Sequence, residues 1–369
     1  MRAALERGAK LGVARADSAA AVAQLITARA YPNPTLAASY SKSVPTQHYS
    51  VDVPIDFPMM RRLRIQSAQV GVHAAELKNS LARAMVALDA DTTYTHAVAA
   101  RERVALSRRN ALDADSLLHM VERRRDAGDA SDLDVELARV NAGQQTNIAT
   151  GDSLTMISSL LDLQAVLGYS LDHLEIQATD SLGNPPTSVT PAPTTLSESA
   201  AQLSLQSADL NARLAHRSIW QQLSLSLGFE TGDASQPGIL PTFGVGVGLP
   251  IFDRNKGPHA TAEAEKLRAQ AELTLARVET RTEIARAIRE RENAISKVTR
   301  DRLLIASANR VAAMSLTAYR EGASSLSNVV EAQRSARDIL SQLVDDLANA
   351  WIATAELRVF SLTSSTPAP

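Results

Sequence analysis

The chain has 369 residues, which is enough for two ordinary domains or for one elongated one. Aromatic residues make up only 4% while 45% of the residues are hydrophobic, a mixture that suits long helices packed through small side chains better than a globular core of large rings. The formal net charge is −2, so we expect no nucleic-acid partner. No cysteine is present, which excludes disulfides, cysteine-ligated zinc and a thiol nucleophile.

The beginning of the chain shows neither a membrane helix nor an export signal. No run of 18 apolar residues occurs, so no transmembrane helix is predicted. The first 30 residues have the pattern of a helix already under way, without a charged segment followed by an apolar one. We therefore expect a truncated chain or a misassigned start. Taken alone, these facts also allow a cytoplasmic helical protein.

The distribution of proline and glycine predicts two long helical hairpins. Prolines cluster at 32–58, 185–193 and 237–258 and are absent from 59–184 and 259–366, and a helix interior excludes proline at a cost of about 3 kcal/mol. Gly128 and Gly322 lie near the middle of the two empty stretches. The hairpins are predicted at about 59–170 and 258–362. The first arm, Met59 to Arg125, would be about 100 Å long at a rise of ~1.5 Å per residue. A helix of this length should pack as a coiled coil.

Matching segments indicate an internal duplication. Ala75-Glu76-Leu77 recurs as Ala271-Glu272-Leu273 after 196 residues, and the spaced set Gly128, Ser131, Val135 and Ala138 recurs after 194 residues as Gly322, Ser325, Val329 and Ala332. We predict a first repeat at 1–183, a Pro/Thr/Ser linker at 184–195, a second repeat at 196–362 and a disordered tail at 363–369.

Each hairpin is preceded by two segments in which apolar residues alternate with small or polar ones. These predicted strands span about 35–43, 48–56, 221–230 and 240–252. Their length and alternation are typical of tilted transmembrane strands with one face in lipid and the other in water. The residues predicted to face lipid include Tyr40, Val51, Leu225 and Val247. A soluble sheet that packs one face on a core is the alternative.

Four strands cannot enclose an aqueous lumen, and an open sheet edge cannot persist in lipid because its backbone groups would lack hydrogen bonds. Neighbouring copies must then complete the ring. Two copies would give eight strands, whose interior fills with side chains, whereas three would give twelve and leave a passage. The predicted fold class is mainly α with a small β part: two repeats, each a strand pair plus a coiled-coil hairpin, forming a trimeric 12-stranded β-barrel continued by an α-helical barrel.

Taken in order, the motifs resemble the TolC family of outer-membrane efflux proteins over nearly the whole chain. Tyr31–Leu36 is similar to the family's entry to the first strand, Leu249–Gly257 to its strand-to-helix turn, and Tyr319–Arg334 to a helical tip and its continuation. The run Asp253–Gly257 resembles the cobalt–zinc–cadmium resistance branch. The resemblance implies a homotrimer in the outer membrane, surrounded by lipid, that extends into the periplasm. There it would dock a periplasmic adaptor coupled to an inner-membrane pump of the RND type and conduct small molecules or metal ions outwards.

The same resemblance assigns residues to the periplasmic tips. Those that match the tip motif, which meets the adaptor, are Gly128, Ser131, Gly322 and Ser325. Asn328 and Glu331 fall where the family can carry acidic residues around the channel entrance. Because position 328 is an uncharged asparagine, Asp132 and Asp134 of the first hairpin are the alternative source of charge.

No metal, cofactor or catalytic site is predicted. His73, His96 and His119 recur every 23 residues along one arm, about 35 Å apart at ~1.5 Å per residue, so they cannot share a metal. The other histidines are scattered, and His48 is the one worth testing if it faces a lumen. The glycines of Gly244–Gly248 fit small strand residues better than a dinucleotide loop. Asp132 and Asp134 either begin a helix or hold a cation. No nucleophile–base pair is evident, so no enzyme is expected. The alternatives are a soluble coiled-coil scaffold and a periplasmic adaptor-like protein.

Overall fold

The computed structural model describes residues 2–7, 9–170, 176–186, 189–218, 223–236, 238–248, 252 and 254–363. Helices dominate, and the strands form one small antiparallel sheet. The helices are α1 (Arg2–Arg7), α2 (Ala9–Arg29), α3 (Pro58–Asp126), α4 (Asp132–Leu167), α5 (Leu196–Arg217), α6 (Lys256–Arg320) and α7 (Leu326–Phe360). The strands are β1 (Thr35–Tyr40), β2 (Gln47–Pro54), β3 (Leu223–Thr231) and β4 (Leu240–Val247). The described helices include none that is both long enough and apolar enough to cross a membrane.

The chain divides into two compact units, and each takes segments from both halves of the sequence. One unit comprises Val13–Ser80 and Leu196–Thr280 and contains the sheet. The other comprises Met1–Gly12, Leu81–Thr195 and Arg281–Pro369 and contains α4 and α7. The predicted repeats are consecutive along the sequence. The compact units do not follow these repeats, because each unit contains corresponding segments from both halves.

The sheet has the strand order β1-β2-β3-β4, with every neighbouring pair antiparallel. β1 ends three residues before its predicted end, because the chain turns after Tyr40 and the Ser41 amide donates a 2.8 Å hydrogen bond to the carbonyl of Thr46. β4 ends at Val247, and the predicted continuation through 249–251 lies outside the described residues. The pairing of β2 with β3 joins strands from the two halves of the chain.

In the sheet-containing unit, side chains that follow each strand pair cap the helix that precedes it. Arg64 Nε donates to the carbonyl of Ala28 at 3.0 Å, and Arg61 Nη2 to that of Arg29 at 2.9 Å, so both cations satisfy the end of α2. In the second half, Asn255 Nδ2 donates to the carbonyl of Ala215 at 2.9 Å near the end of α5. A left-handed backbone at Asn255, with φ of 58°, accompanies this contact.

In the other unit, the predicted linker and the residues before it run along the helices and are bonded to them. Arg101 Nη1 donates to the carbonyl of Ala178 at 2.7 Å, and Trp351 Nε1 to that of Gly183 at 2.8 Å. Further along, the Ala192 amide donates to the carbonyl of Phe360 at 2.9 Å. These bonds fix an irregular segment that has no ladder of its own to satisfy its backbone groups.

Two acidic residues meet between α6 and α7. Asp346 is only 4% exposed, and its Oδ1 lies 3.6 Å from Lys297 Nζ. The Oδ2 atoms of Asp301 and Asp346 are both buried and lack hydrogen-bond partners. Burial, followed by interaction with the Asp346 carboxyl, raises the pKa of Asp301 above its ordinary value. One proton shared between the carboxyls would satisfy both orphaned oxygens.

We predict that Asp301→Asn raises the melting temperature of the purified protein at pH 8. A raised folded-state pKa means that this carboxyl favours folding fully below its unfolded pKa, and that the benefit is lost as the pH rises through the folded value. The advantage of the variant should therefore shrink as the pH falls from 8 towards the unfolded carboxyl pKa of about 3.9. Asp338→Asn, at an exposed position of α7, is the matched control and should show little pH-dependent difference. Parallel pH profiles for the wild type and Asp301→Asn would contradict the shared-proton interpretation.

Candidate membrane-facing sheet and helical tips

The register of the strands separates the side chains into two chemically distinct faces. Leu36 pairs with Val51, Val51 with Leu227, and Leu227 with Phe243, so these four residues share one face. We call this the apolar face, and its main side chains are Leu36, Ala38, Tyr40, Tyr49, Val51, Val53, Leu225, Leu227, Phe229, Phe243, Val245 and Val247. The opposite side is the polar face, and its residues include Ala37, Ser39, His48, Ser50, Asp52, Ser224, Ser226, Gly228, Glu230, Thr242, Gly244 and Gly246.

The apolar face is the more exposed of the two. Phe243, Val245 and Val247 are 79%, 67% and 58% exposed. Along β2 and β4 the residues alternate strictly between exposed and half-buried, and in both strands the half-buried set belongs to the polar face. A sheet in a soluble protein shows the reverse pattern because its apolar face packs on a core. The alternative of a sheet packed on a soluble core is therefore not what this chain adopts.

All four residues predicted to face lipid lie on the apolar face. Tyr40 and Val247 are on the outer strands β1 and β4, and Val51 and Leu225 are on the inner strands. Each is exposed. Cross-strand stacking of Tyr49 and Phe229, with ring centroids 5.0 Å apart, stiffens the same face.

The polar face carries its own hydrogen-bonded pairs. His48 lies directly opposite Glu230, with Nδ1 and Oε1 3.0 Å apart. Asp52 lies opposite Ser226, whose hydroxyl donates to the Asp52 carboxylate. His48 is therefore on the face that would line a lumen, as the sequence-based suggestion to test it required.

The outer strands leave two sheet edges without a partner in the described chain. β1 pairs only with β2, and β4 only with β3. Each outer strand therefore presents a row of backbone N–H and C=O groups that the sheet itself does not satisfy. Such edges are a template for pairing with another strand.

At the far end of each hairpin, the predicted tip glycine terminates a helix in the same way. Gly128 has a φ of 85° and Gly322 a φ of 76°, both in the left-handed region that favours glycine. The Gly128 amide donates to the carbonyl of Arg125 at 2.8 Å, and the Asp129 amide to that of Arg124 at 2.7 Å. The bonds at Gly322 and Ala323 repeat this Schellman pattern. The two tips thus share one backbone conformation, as the duplication predicts.

The following N-caps differ between the tips. At Ser131 a capping box is complete: Ser131 Oγ accepts from the Asp134 amide at 3.2 Å, and Asp134 Oδ2 accepts from the Ser131 amide at 3.1 Å. At Ser325 no side-chain cap bond forms, and Asn328, which takes the place of Asp134, donates instead to Ser324 Oγ at 3.2 Å.

The candidate entrance residues therefore divide into two groups. The Asp134 carboxylate is committed to the helix start, which is the structural role that the sequence left open for it. Asp132, Asn328 and Glu331 are exposed, and of these Asp132 and Glu331 carry charge. The structure thus leaves one free acidic candidate on each hairpin.

A buried cluster behind the tips joins the two hairpins. Leu117, Val121 and Val135 of the first hairpin pack with Leu326 and Val329 of the second. The Arg124 guanidinium lies 4.8 Å from the centroid of the Tyr319 ring and also donates to the Tyr319 carbonyl. Burial of Tyr319 raises the pKa of its phenol. The tips therefore form one packed structure within this unit.

The histidines of α3 do not converge on a metal. His73 pairs with Glu76 at 3.1 Å and His119 with Glu122 at 3.3 Å, and both histidines are exposed. Across the described part of the chain, no group of three or more His, Cys, Asp or Glu side chains is placed to hold a metal ion. Sequence reasoning missed one pair of histidines. The ring centroids of His216 and His259 lie 5.3 Å apart, because α5 and α6 bring together residues that are 43 positions apart in the sequence.

Comparison with known proteins agrees with this fold. Residues 199–361 match the family described as "Outer membrane efflux protein". The matched segment extends from α5 to α7 and includes β3 and β4, and the match agrees with the family predicted from the motifs.

The chain is also similar to two proteins whose functions are designated. The pyoverdine export outer membrane protein OpmQ of Pseudomonas aeruginosa is 26% identical over 80% of this chain and 65% of its own length. The cobalt-zinc-cadmium resistance protein CzcC of Cupriavidus metallidurans is 26% identical over 69% of this chain and 62% of its own. The chain thus spans less than two thirds of the length of both relatives. The crystal structure of the outer membrane protein VceC of Vibrio cholerae matches with a TM-score of 0.81 at 17% identity, covering 98% of this chain and 94% of that one, so the fold is shared.

The unequal N-caps give a prediction for the tips. Ser131→Ala removes the capping-box acceptor and should destabilise the first turn of α4 by about 1 kcal/mol. Ser325→Ala removes no side-chain cap bond and should leave the first turn of α7 nearly unchanged. Amide hydrogen exchange measures both turns in each variant. We expect roughly fivefold faster exchange at the start of α4 in Ser131→Ala, and equal effects of the two substitutions would contradict the assigned caps.

Proposed function

We propose that this chain is the protomer of a homotrimeric outer-membrane channel in a tripartite efflux system. The channel passively conducts metal ions or small molecules to the cell exterior, after a periplasmic adaptor and an inner-membrane pump of the RND type deliver them. The observation that carries the proposal is the exposed apolar face of the sheet, which lies opposite a polar face with two carboxylates. The proposal includes no catalytic role and no cofactor.

The apolar face and the free edges together require both lipid and other copies. Large apolar side chains on all four strands are stabilised by leaving water, and hydrocarbon provides the environment that the chain's own core does not. In hydrocarbon each unpaired backbone group of β1 and β4 would cost several kcal/mol. Pairing β4 of one copy with β1 of the next removes this cost. Three copies give a 12-stranded barrel with the polar faces around a water-filled lumen.

The helices support the same assembly. In the unit that contains α4, this helix exposes one broad apolar stripe, comprising Leu133, Leu137, Val140, Ile148, Leu154 and Ile157. The part of α6 in the same unit exposes another, comprising Leu303, Leu304, Val311 and Met314. Two different stripes on one chain favour head-to-tail contact between copies, which closes into a ring. We infer that α4 of one protomer packs on α6 of its neighbour in an α-helical barrel.

The tips are the proposed periplasmic end. Gly128, Ser131, Gly322 and Ser325 would contact the adaptor, because they form two similar exposed turns that a single repeated partner can bind. Around the threefold axis, Asp132, Asp134, Asn328 and Glu331 would surround the entrance, with Asp132 and Glu331 supplying the free charge.

The designations of OpmQ and CzcC suggest two classes of cargo, an exported siderophore or divalent metal cations. A soluble coiled-coil scaffold remains the second candidate function, because long amphipathic helices are common to both. The scaffold offers no reason for an outward apolar face on the sheet.

The strand register is tested by placing one charge on opposite faces of β4. Val245→Arg puts a cation on the apolar face at an expected cost of about 2–4 kcal/mol near the bilayer midplane and should abolish trimer assembly. Thr242→Arg puts the same cation on the polar face of the same strand, where water would solvate it, and trimers should persist. Both variants, expressed behind a periplasmic export signal, are compared by outer-membrane fractionation and by heat-modifiable migration on gels.

Equal behaviour of these two variants would contradict the assignment of faces. Recovery of the wild type as a soluble monomer or dimer would overturn the channel proposal and favour the scaffold.

A further inference from the structure

The charges on the sheet are few and have one sign. Among all residues of β1 to β4, only Asp52 and Glu230 carry a formal charge, and neither lysine nor arginine occurs in these strands. Both acidic residues lie on the polar face. The nearest charges beyond the strands are Lys42 in the β1–β2 turn, Asp233 in the β3–β4 turn and Asp56 after β2. Lys42 and Asp233 are opposite in sign, and Asp56 is paired with Arg64 at 2.7 Å. The polar face therefore has an uncompensated negative charge.

Local contacts hold the two carboxylates at two levels along the strands. Glu230 is bonded to His48 directly across from it, and Asp52, four residues further along β2, accepts from the hydroxyl of Ser226. Four residues of strand correspond to about 13 Å. Each carboxylate thus has one hydrogen-bonding partner, His48 or Ser226, and remains part-exposed on the polar face. Neither strand offers it a lysine or arginine as a neighbour.

Small residues lie beside Asp52. On β4, Gly244 pairs with Ser226 and Gly246 with Ser224, so this part of the polar face carries little side-chain bulk. A Cβ atom at Gly244 would lie 3.4 Å from Ser226 Cβ, and so the glycine keeps the surface beside Asp52 and Ser226 low. Asp52 and Glu230 are the only residues of the four strands with a formal charge, and their side chains would project into a lumen.

We propose that the polar face selects for cations, with Asp52 and Glu230 as its specificity-determining residues. The inference rests on the proposed trimeric channel, in which three copies produce two rings of three carboxylates each, about 13 Å apart. Rings of Asp or Glu make pores selective for cations, and walls of low dielectric constant focus the field of such rings into the lumen. The cargo class that this lining favours is hydrated metal cations or cationic small molecules. Anionic cargo such as a carboxylate-rich chelator would be repelled.

Reversal potentials of purified trimers in planar bilayers of phosphatidylcholine, under a KCl gradient, test the inference. The wild type should pass K⁺ several-fold better than Cl⁻. The double substitution Asp52→Asn with Glu230→Gln should bring the permeability ratio close to one while open-channel current persists. Thr242→Arg, which adds a cation to the same face, should lower the ratio further or invert it. Asp233→Asn, in the exposed turn, is the control and should keep the wild-type ratio.

The outcomes separate the inference from the channel proposal. A conducting wild type without cation preference, or a double variant that retains the wild-type ratio, would overturn the role of Asp52 and Glu230 and leave the channel intact. Folded trimers that pass no current would overturn the channel proposal itself. Loss of selectivity in Asp233→Asn alone would assign the selectivity to the turns instead of to Asp52 and Glu230.

Discussion

Unsatisfied backbone groups along the outer edges of β1 and β4 set the condition on which the rest of the structure depends. In water, solvent could hydrogen-bond to these groups, and the edges would need no further partner. The exposed apolar side chains between the edges favour a hydrocarbon environment, where no such solvent exists. Both requirements are met together only when a strand of another copy covers each edge. In the proposed channel, membrane insertion and oligomerisation are therefore one physical problem, because neither would be favourable without the other.

The helical parts show the same division between what one chain satisfies and what it leaves open. Behind the tips, Val121, Val135, Leu326 and Val329 form a core within a single chain, and the linker is bonded to α3 and α7. The apolar stripes of α4 and α6 have no such cover. A fold in which the turns and the tip core are formed while large apolar stripes stay exposed fits the proposed subunit of a larger assembly.

Local signals in the sequence predicted most of the elements. Proline and glycine positions placed the hairpins, since their backbone restrictions act within a few residues, and the period-two alternation placed the strands for the same reason. The end of β1 was misplaced because the turn at Ser41–Thr46 depends on one backbone bond. The pairs His48–Glu230, His216–His259 and Asp301–Asp346 could not be predicted, because each depends on the register between separate strands or helices.

The association of copies could not be predicted from such local signals, because it depends on contacts between chains.

The duplication also shows which features a tip needs and which it can lose. Both tips keep the left-handed glycine and its Schellman bonds, which end one helix and reverse the chain. Only the first keeps the capping box, because Asn328 replaces Asp134 and forms a different bond. The second tip nevertheless begins α7 at the corresponding residue, with Leu326 and Val329 buried in the shared core. Leu326, whose counterpart Asp132 is exposed, adds one buried side chain at the start of α7.

The glycines of the sheet show a similar separation of roles. A Cβ at Gly228 would lie 2.5 Å from the carbonyl oxygen of Tyr49, so this glycine is required by the close approach of β2 and β3. Gly244 has no such backbone conflict, since its nearest neighbour would be a serine side chain at ordinary contact distance. The small size of Gly244 is therefore not required by strand pairing, and its effect is to keep the polar face low. Since the opposite face of the same strand carries Phe243 and Val245, β4 is bulky towards the proposed lipid and thin towards the proposed lumen. In the proposed barrel, that asymmetry would widen the passage and leave the carboxylates of β2 and β3 to dominate its field.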